Sequence, residues 1–139
     1  MGEPEPNPML MDGPASINAA VAIAGRTQIG HGTSVLESPE VVNLVLERGM
    51  VLEMCPTSNQ PLGNVSSYQN HRILALDEAG GKVTVNSDDP TGLGLNLTQE
   101  MQRLVSDRRL SRDCIARWTC NAFKVAIANE AMRSQFFTN

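Results

Sequence analysis

Apolar residues recur along this chain with two kinds of spacing, one typical of helices and one typical of strands. Helical spacing follows Gly13 and Ser38, returns at 73–78, and governs most of the last third of the sequence. Runs of strand length lie between those stretches, at 27–30, 50–55 and 82–86. The pattern predicts the order loop, α, β, α, β, loop, α, β, α, α, with a long polar loop at 56–70.

Polar residues at the expected helix ends support this order. Ser38-Pro39-Glu40 combines a capping serine, a first-turn proline and an acid that favours the helix dipole, and Gly49 ends that helix. Asn96 and Gln99 resemble a capping box at the start of the next-to-last helix. Ser111 is the expected cap of the last helix.

Strands that alternate with helices pair in parallel through right-handed crossovers, so we predict about three parallel strands. A parallel sheet needs both faces covered, and this chain has enough helix for one face. A (β/α)8 barrel takes eight strands in about 250 residues, and this chain would supply fewer than half of those strands. We therefore predict an α/β fold that forms an incomplete part of a TIM-type barrel.

Composition narrows the class of protein. The chain has 139 residues, which suits one domain, and its first dozen carry three prolines, so we expect a non-helical segment at 1–12 and a domain at 13–139. The net charge of −4 and the absence of a basic stripe argue against nucleic-acid binding.

The longest apolar run, 19–24, is far below the roughly 20 residues of a membrane span, and no signal-peptide core is present. Three cysteines without disulfide or zinc-knuckle spacing favour a reducing, cytoplasmic setting.

Polar residues follow each predicted strand. His31 follows the first, the segment 55–59 follows the second, and Asp88-Asp89 follows the third. Because the carboxyl ends of parallel strands carry the ligand-binding and catalytic groups of such folds, we expect these residues to share one site.

Each of these residues also has an alternative structural role. A single histidine is more often a hydrogen-bonded structural residue, but Gly30 and Gly32 would let the backbone at His31 approach a ligand closely. Asp88-Asp89-Pro90 is a common turn sequence, yet a carboxylate there could bind zinc and its neighbour could accept a substrate N–H. Two adjacent acids repel each other, so they need a cation or donor nearby.

The remaining candidates are interpreted mainly as structural. Cys55 could be a nucleophile, but no histidine has an obvious sequence relation to it, so a buried packing role is favoured. Ser58 and Asn59 could line a site or form a turn, and His71 in a polar loop is interpreted as a surface residue. Packing roles are expected for Cys114, Trp118 and Cys120.

Three motifs together resemble the adenosine deaminase family. They are Gln28-Ile29-Gly30-His31-Gly32, Leu52-Glu53-Met54-Cys55-Pro56-Thr57-Ser58-Asn59, and Val83-Thr84-Val85-Asn86-Ser87-Asp88-Asp89-Pro90. The resemblance runs from about residue 13 to 126. It implies the C-terminal part of a β/α barrel with one zinc ion, which hydrolyses the 6-amino group of adenosine or a related purine to an inosine-type product and ammonia.

The resemblance also implies a role for each matched residue. His31 resembles the histidine that orients the zinc-bound hydroxide, and Asp88 resembles the carboxylate that ligates zinc. Asp89 resembles the carboxylate that contacts the purine and helps hold the attacking water. Ser58, which could line the site, is a further candidate for substrate binding. Glu3, in Met1-Gly2-Glu3, matches the tail of the family's H-A-G-E motif, whose glutamate protonates the purine ring.

The sequence departs from the family in its metal ligands. The family holds zinc with a His-x-His pair and a third histidine, whereas this chain has only His31 and His71. Arg72 also replaces a frequent proline. Because catalytic zinc usually needs three protein ligands, we expect the isolated chain to bind zinc poorly and to lack activity. Adenosine is the favoured substrate, with adenine, a modified adenosine or a nucleotide left open.

Three hypotheses follow from an incomplete barrel. In the first, the chain is the C-terminal portion of a purine deaminase. In the second, it is a non-catalytic half-barrel that self-associates or docks on a full-length paralogue. In the third, it is one chain of a split enzyme whose N-terminal half-barrel is a separate partner. In the second hypothesis, the unpaired sheet edges of the half-barrel favour self-association or docking.

Overall fold

A computed structural model describes residues 13–23, 27–108, 110–126 and 130–135. The strands are β1 (Gln28–Gly30), β2 (Val51–Met54) and β3 (Lys82–Val85). The helices are α1 (Gly13–Ala22), α2 (Pro39–Glu47), α3 (Pro56–Asn59), α4 (Ile73–Glu78), α5 (Pro90–Leu93), α6 (Leu97–Arg108), α7 (Arg112–Val125) and α8 (Glu130–Ser134). Two 3₁₀ turns lie at Thr33–Glu37 and Tyr68–Asn70.

The sheet has the order β1-β2-β3, and both pairs of neighbouring strands are parallel. Ile29 pairs with Leu52, which pairs with Val83. This confirms the prediction of a small parallel sheet with crossover helices. All three strand ends that precede the polar motifs therefore lie side by side.

One face of the sheet is apolar and covered by helices. Leu52 and Val83 are fully buried there, and Val45 of α2 and Leu76 of α4 lie beside Leu52. Each large aliphatic side chain buried in this way contributes about 1.5–3 kcal/mol. The α2 and α4 layer therefore supplies the core that holds the strands in place.

The opposite face is more polar, and α7 approaches it from the β3 side. Glu53 and Thr84 are paired in register on this face, because side chains alternate along a strand. Asn121 Nδ2 of α7 donates to the Val83 carbonyl oxygen at 3.0 Å, and Gln28 Nε2 of β1 donates to the Val125 carbonyl at 2.7 Å. Helix α7 thus joins both outer strands of the sheet.

The predicted helix caps are present. Val41 N donates to Ser38 Oγ at the start of α2, and Cys114 N donates to Ser111 Oγ at the start of α7. Asn96 and Gln99 form a reciprocal capping box at α6: each backbone N–H donates to the other's side-chain oxygen, at 2.7 and 3.0 Å.

Several short elements were not predicted. The segment 56–70, expected to be a loop, contains α3 and a 3₁₀ turn, and α5 follows Asp89 where a turn was expected. One-turn helices are too short to show a hydrophobic period, so sequence spacing does not reveal them. Trp118 is fully buried as predicted and Cys114 is half-buried, but Cys120 is exposed, so its predicted packing role is wrong.

The segment 1–12, including Glu3, lies outside the described residues. Within the described ranges, no helix combines the length and apolar character that a membrane crossing requires.

Candidate functional site

The polar residues after the three strands converge at the carboxyl edge of the sheet. His31 follows β1, Cys55 follows β2 and Asp88 lies just beyond β3. Their potential metal-binding atoms all lie within 4.8 Å of one another. The parallel sheet thus brings together groups that are 57 residues apart in the chain (31 to 88).

The backbone is strained at two of these positions. His31 has a φ angle of 61° and Asp88 has a φ angle of 58°. Non-glycine residues in this region cost about 1–3 kcal/mol, and they cluster where the surrounding structure holds a functional side chain in place. The left-handed backbone conformation at His31 and Asp88 directs both side chains toward the carboxyl edge of the sheet.

Glycine is required at position 32 for a reason other than the close approach of a ligand that the sequence predicted. Its φ angle is 62°, and a Cβ at this position would lie 3.0 Å from Leu52 Cδ2. Glycine is required here because the turn after His31 packs against the core. A Cβ at Gly30, by contrast, would have no atom within 4 Å, so only that glycine leaves room for a ligand.

The two adjacent aspartates have different partners. Asp88 Oδ2 accepts a hydrogen bond from Ser58 Oγ at 2.5 Å, and Ser58 is only 4% exposed. Asp89 caps α5, because its Oδ1 accepts from the backbone N–H groups of Thr91 and Gly92 at 3.1 and 2.9 Å. The structure therefore brings Asp88 and Ser58 to His31 and places Asp89 at the rim.

A buried polar chain runs behind His31. His31 Nδ1 lies 2.6 Å from Asn59 Oδ1, and Asn59 Nδ2 lies 2.7 Å from His71 Nε2. Ile73 N donates to His71 Nδ1 at 3.2 Å. Asn59 is fully buried and His71 is 3% exposed, so the prediction that His71 lies on the surface is wrong. The one sequence signal for its burial is that it comes just before an apolar helix.

Cys55 is a neutral thiol at this edge. Burial raises its pKa to about 12, and the negative charges of Asp88 and Glu53 act in the same direction. A thiolate is the nucleophilic form of cysteine, and very little of it is present near neutral pH. The packing role predicted for Cys55 agrees with its 7% exposure.

Glu100 of α6 is a buried acid that sequence reasoning missed. Its side chain is 1% exposed. Burial raises the pKa of this carboxyl, and hydrogen bonds with Thr57 partly oppose the effect. The spacing along α6 alone does not predict this burial, and the hydrogen bonds with Thr57 show that Glu100 lies against α3.

A cavity of about 390 Å³ opens at the carboxyl edge of the strands. It is lined by Gly30, His31, Glu53, Cys55, Asn86, Ser87, Asp88 and Leu97. A larger groove of about 500 Å³ lies between α6 and α7, and the residues that line it include no acid or histidine. The smaller cavity is therefore the candidate site.

The residues at this cavity fit part of a metal site. His31, Cys55 and Asp88 are the one cluster of three potential ligands in the described part of the chain. Asp88 has its Oδ2 held by Ser58, and a ligating carboxylate is commonly oriented by such a hydrogen bond. Catalytic zinc usually has three protein ligands. His31 Nδ1 is already held by Asn59, and the Cys55 thiol donates to the Glu53 carbonyl oxygen, so the described residues supply a partial set.

Comparison with known proteins identifies the family. The family model described as adenosine deaminase matches residues 11–138. The chain belongs to the adenosine deaminase family. An adenosine deaminase from Plasmodium falciparum is 44% identical over 89 residues, which are 64% of this chain and 24% of that protein.

Solved structures of related proteins show the same fold. An adenine deaminase from Arthrobacter aurescens is 26% identical with a TM-score of 0.83, over 88% of this chain and 37% of its own. An amidohydrolase from Burkholderia ambifaria, solved with bound Zn, has a TM-score of 0.78 at 20% identity, over 89% of this chain and 35% of its own. The fold is part of a (β/α)8 barrel, and the chain spans less than two fifths of the length of these relatives.

Proposed function

We propose that this chain provides the acid–base part of a zinc-dependent purine deaminase site. Its reaction replaces the 6-amino group of adenosine with the oxygen of water and releases ammonia, giving an inosine-type product. The observation that carries the proposal is the convergence of His31, Ser58 and Asp88 at the ends of adjacent parallel strands. Membership of the adenosine deaminase family supports the same reaction.

Asp88 is the proposed zinc ligand of this chain. Ser58 holds one carboxylate oxygen at 2.5 Å and leaves the other free to face the metal. A bound zinc ion would lower the pKa of its water to about 7, which makes hydroxide available at neutral pH. We expect the other ligands from an N-terminal half-barrel, in the same polypeptide or in a partner.

His31 and Asp89 are the proposed groups that position the reactants. Asn59 occupies Nδ1 of His31, which leaves Nε2 to hydrogen-bond the attacking oxygen. Asp89 uses Oδ1 to cap α5, so Oδ2 is the oxygen available to a purine N–H. Proton transfer to the leaving ammonia and to the purine ring then requires further acids, of which Glu3 is the candidate in this sequence.

The isolated chain should therefore be inactive. Because one carboxylate does not hold catalytic zinc, the purified 139-residue chain is expected to show no adenosine turnover when zinc is added. Measurable turnover by the chain alone would contradict this expectation. A stable monomer by light scattering would argue against the alternative of a self-associating, non-catalytic half-barrel.

A chimera tests the proposed activity directly. The matching C-terminal segment of the Plasmodium falciparum adenosine deaminase would be replaced by this chain, and ammonia release from adenosine would be measured. We expect activity from the chimera and at least a hundredfold loss (about 2.7 kcal/mol in the barrier) on Asp88→Asn. Asp107→Asn, an exposed acid on α6, is the matched control and should leave the rate unchanged. A folded chimera without activity would overturn the proposal.

The same chimera addresses the substrate. Adenosine is the proposed substrate, and adenine is the principal alternative, since an adenine deaminase is among the solved structures similar to this chain. A higher kcat/KM for adenine than for adenosine would replace the first assignment with the second.

A further inference from the structure

The hydrogen bonds behind His31 can be assigned one by one, because they begin at a group that can only donate. Ile73 N–H belongs to the backbone at the start of α4, and it donates to His71 Nδ1 at 3.2 Å. His71 Nδ1 must therefore be unprotonated. A neutral imidazole carries one proton, so His71 carries it on Nε2.

The proton on His71 Nε2 fixes the orientation of the Asn59 amide. The amide atom 2.7 Å from Nε2 must accept, so it has to be the oxygen. The structure places Nδ2 there, but a half turn of the amide exchanges oxygen and nitrogen in the same space, and the hydrogen bonds decide between the two orientations. Without the half turn, His71 would need its proton on Nδ1, where it would oppose the Ile73 N–H.

One neighbouring contact favours the opposite orientation, and it is weaker. Asn64 Nδ2 lies 3.5 Å from Asn59 Oδ1, beyond the usual range of 2.7–3.2 Å. A half turn of the Asn64 amide would present its oxygen to Asn59 instead. The Ile73 N–H bond to His71 Nδ1, at 3.2 Å, is the shorter of the two competing contacts and would be lost without the half turn of Asn59. It decides the orientation, because an unmatched polar group in a buried position costs about 1–3 kcal/mol.

The assignment then reaches His31. With its oxygen on His71, Asn59 directs its NH₂ group at His31 Nδ1, which lies 2.6 Å from the amide. His31 Nδ1 must accept, so a neutral His31 carries its proton on Nε2. We propose that His71 and Asn59 are positioning residues that hold His31 in the Nε2–H tautomer, so that His31 offers a hydrogen-bond donor to the cavity.

This inference rests on the proposed function only for its chemical consequence. In the proposed deaminase site, a neutral His31 would donate from Nε2 to the attacking oxygen and would not remove a proton from it. The tautomer itself is a property of the folded chain and can be measured without activity, so failure of one proposal is distinguishable from failure of the other.

The experiment is a long-range ¹H–¹⁵N spectrum of the histidine rings in the full 139-residue chain. The sequence has two histidines, so the spectrum holds four ring nitrogens, and the variant His71→Gln assigns them. At about pH 8 an ordinary histidine, with a pKa near 6.5, is neutral. We expect Nδ1 of both rings at the downfield shift of an unprotonated nitrogen, and both Nε2 at the shift of a protonated one. A proton on His31 Nδ1 would overturn the proposal.

The variant Asn59→Asp sharpens the test. An ionised aspartate presents acceptors to both rings, so the proton of His31 should move to Nδ1 while His71 keeps its own on Nε2. Asn70→Asp is the matched control, since Asn70 is exposed and contacts Ser66. It should leave all four shifts unchanged. If His31 keeps its proton on Nε2 in a folded Asn59→Asp chain, Asn59 does not control the tautomer. The unmodified chain alone decides the assignment if the variant does not fold.

Discussion

The helices behind the sheet and the loops at its carboxyl edge follow different rules. On the face of the sheet that the helices cover, Leu52 and Val83 are fully buried aliphatic residues of regular strands. At the edge, His31 and Asp88 have left-handed backbones, and the polar side chain of Asn59 is fully buried. The first region gains stability from ordinary packing, whereas the second spends part of it on holding polar groups in fixed positions. The two regions should therefore respond differently to substitution.

The largest loss of stability is expected at Leu52. Leu52→Ala leaves a cavity between the sheet and α2, and should lower the free energy of unfolding by about 2–5 kcal/mol in a urea titration. Leu62→Ala is the matched control, because Leu62 is 59% exposed, and its effect should stay within about 0.5 kcal/mol. Equal effects at the two sites would mean that the apolar layer does not dominate stability.

A smaller loss is expected where α7 meets the edge of the sheet. Asn121→Ala removes the donor to the Val83 carbonyl and should cost about 1–3 kcal/mol, the penalty for a buried group left unmatched. Asn43→Ala makes the same change on the exposed side of α2. Thermal unfolding of both variants separates the edge contact from the general effect of alanine in a helix. Equal losses of stability in the two variants would show that the contact of α7 with β3 does not stabilise the fold.

The buried acid near the edge should make stability depend on pH. Burial raises the pKa of Glu100 above its ordinary value of 4.5, so the folded chain holds this proton more tightly than the unfolded chain. Stability from this group is therefore lost as the pH rises above 4.5, and the loss is complete above the raised pKa. Glu100→Gln should be more stable than the parent at neutral pH and equal to it below pH 4.5.

Urea titrations at several pH values check this prediction. Glu78→Gln, an exposed acid on α4, should give no such pH-dependent difference. A Glu100→Gln chain that is less stable than the parent at neutral pH would mean that ionised Glu100 has a stabilising partner.

The smallest effect on stability is expected at Asp88. Asp88→Asn keeps a side chain that tolerates a left-handed backbone and can still accept from Ser58, so the free energy of unfolding should change by less than about 1 kcal/mol. The same substitution removes the proposed metal ligand. A loss above 2 kcal/mol in a urea titration would mean that Asp88 is needed for folding, and the contrast between the two regions would disappear.

The difference between the regions also explains how far the sequence could be interpreted. Helix α2 and strand β3 were predicted because their caps and apolar spacing act over a few neighbouring residues. The positions of His31, Ser58 and Asp88 followed from the parallel sheet and the family motifs. Their catalytic and binding roles stay predictions.

The buried chain behind His31 was missed because its contacts are not local. Asn59 and His71 are 12 residues apart in a polar segment, and His31 lies a further 28 residues before Asn59. No periodicity connects such positions. A polar residue that is buried by its tertiary neighbours looks in sequence like a surface residue.

The order of the strands has a consequence for inheritance. Neighbours in this sheet are also neighbours in the chain, so the stretch from Gln28 to Asp88 contains His31 together with Asn59 and His71, the residues that orient it. A single exchange of coding sequence across that stretch would transfer the whole arrangement to another barrel. Separate point mutations would have to rebuild the arrangement in several steps. At each intermediate step, a buried asparagine without its two histidine partners would destabilise the fold.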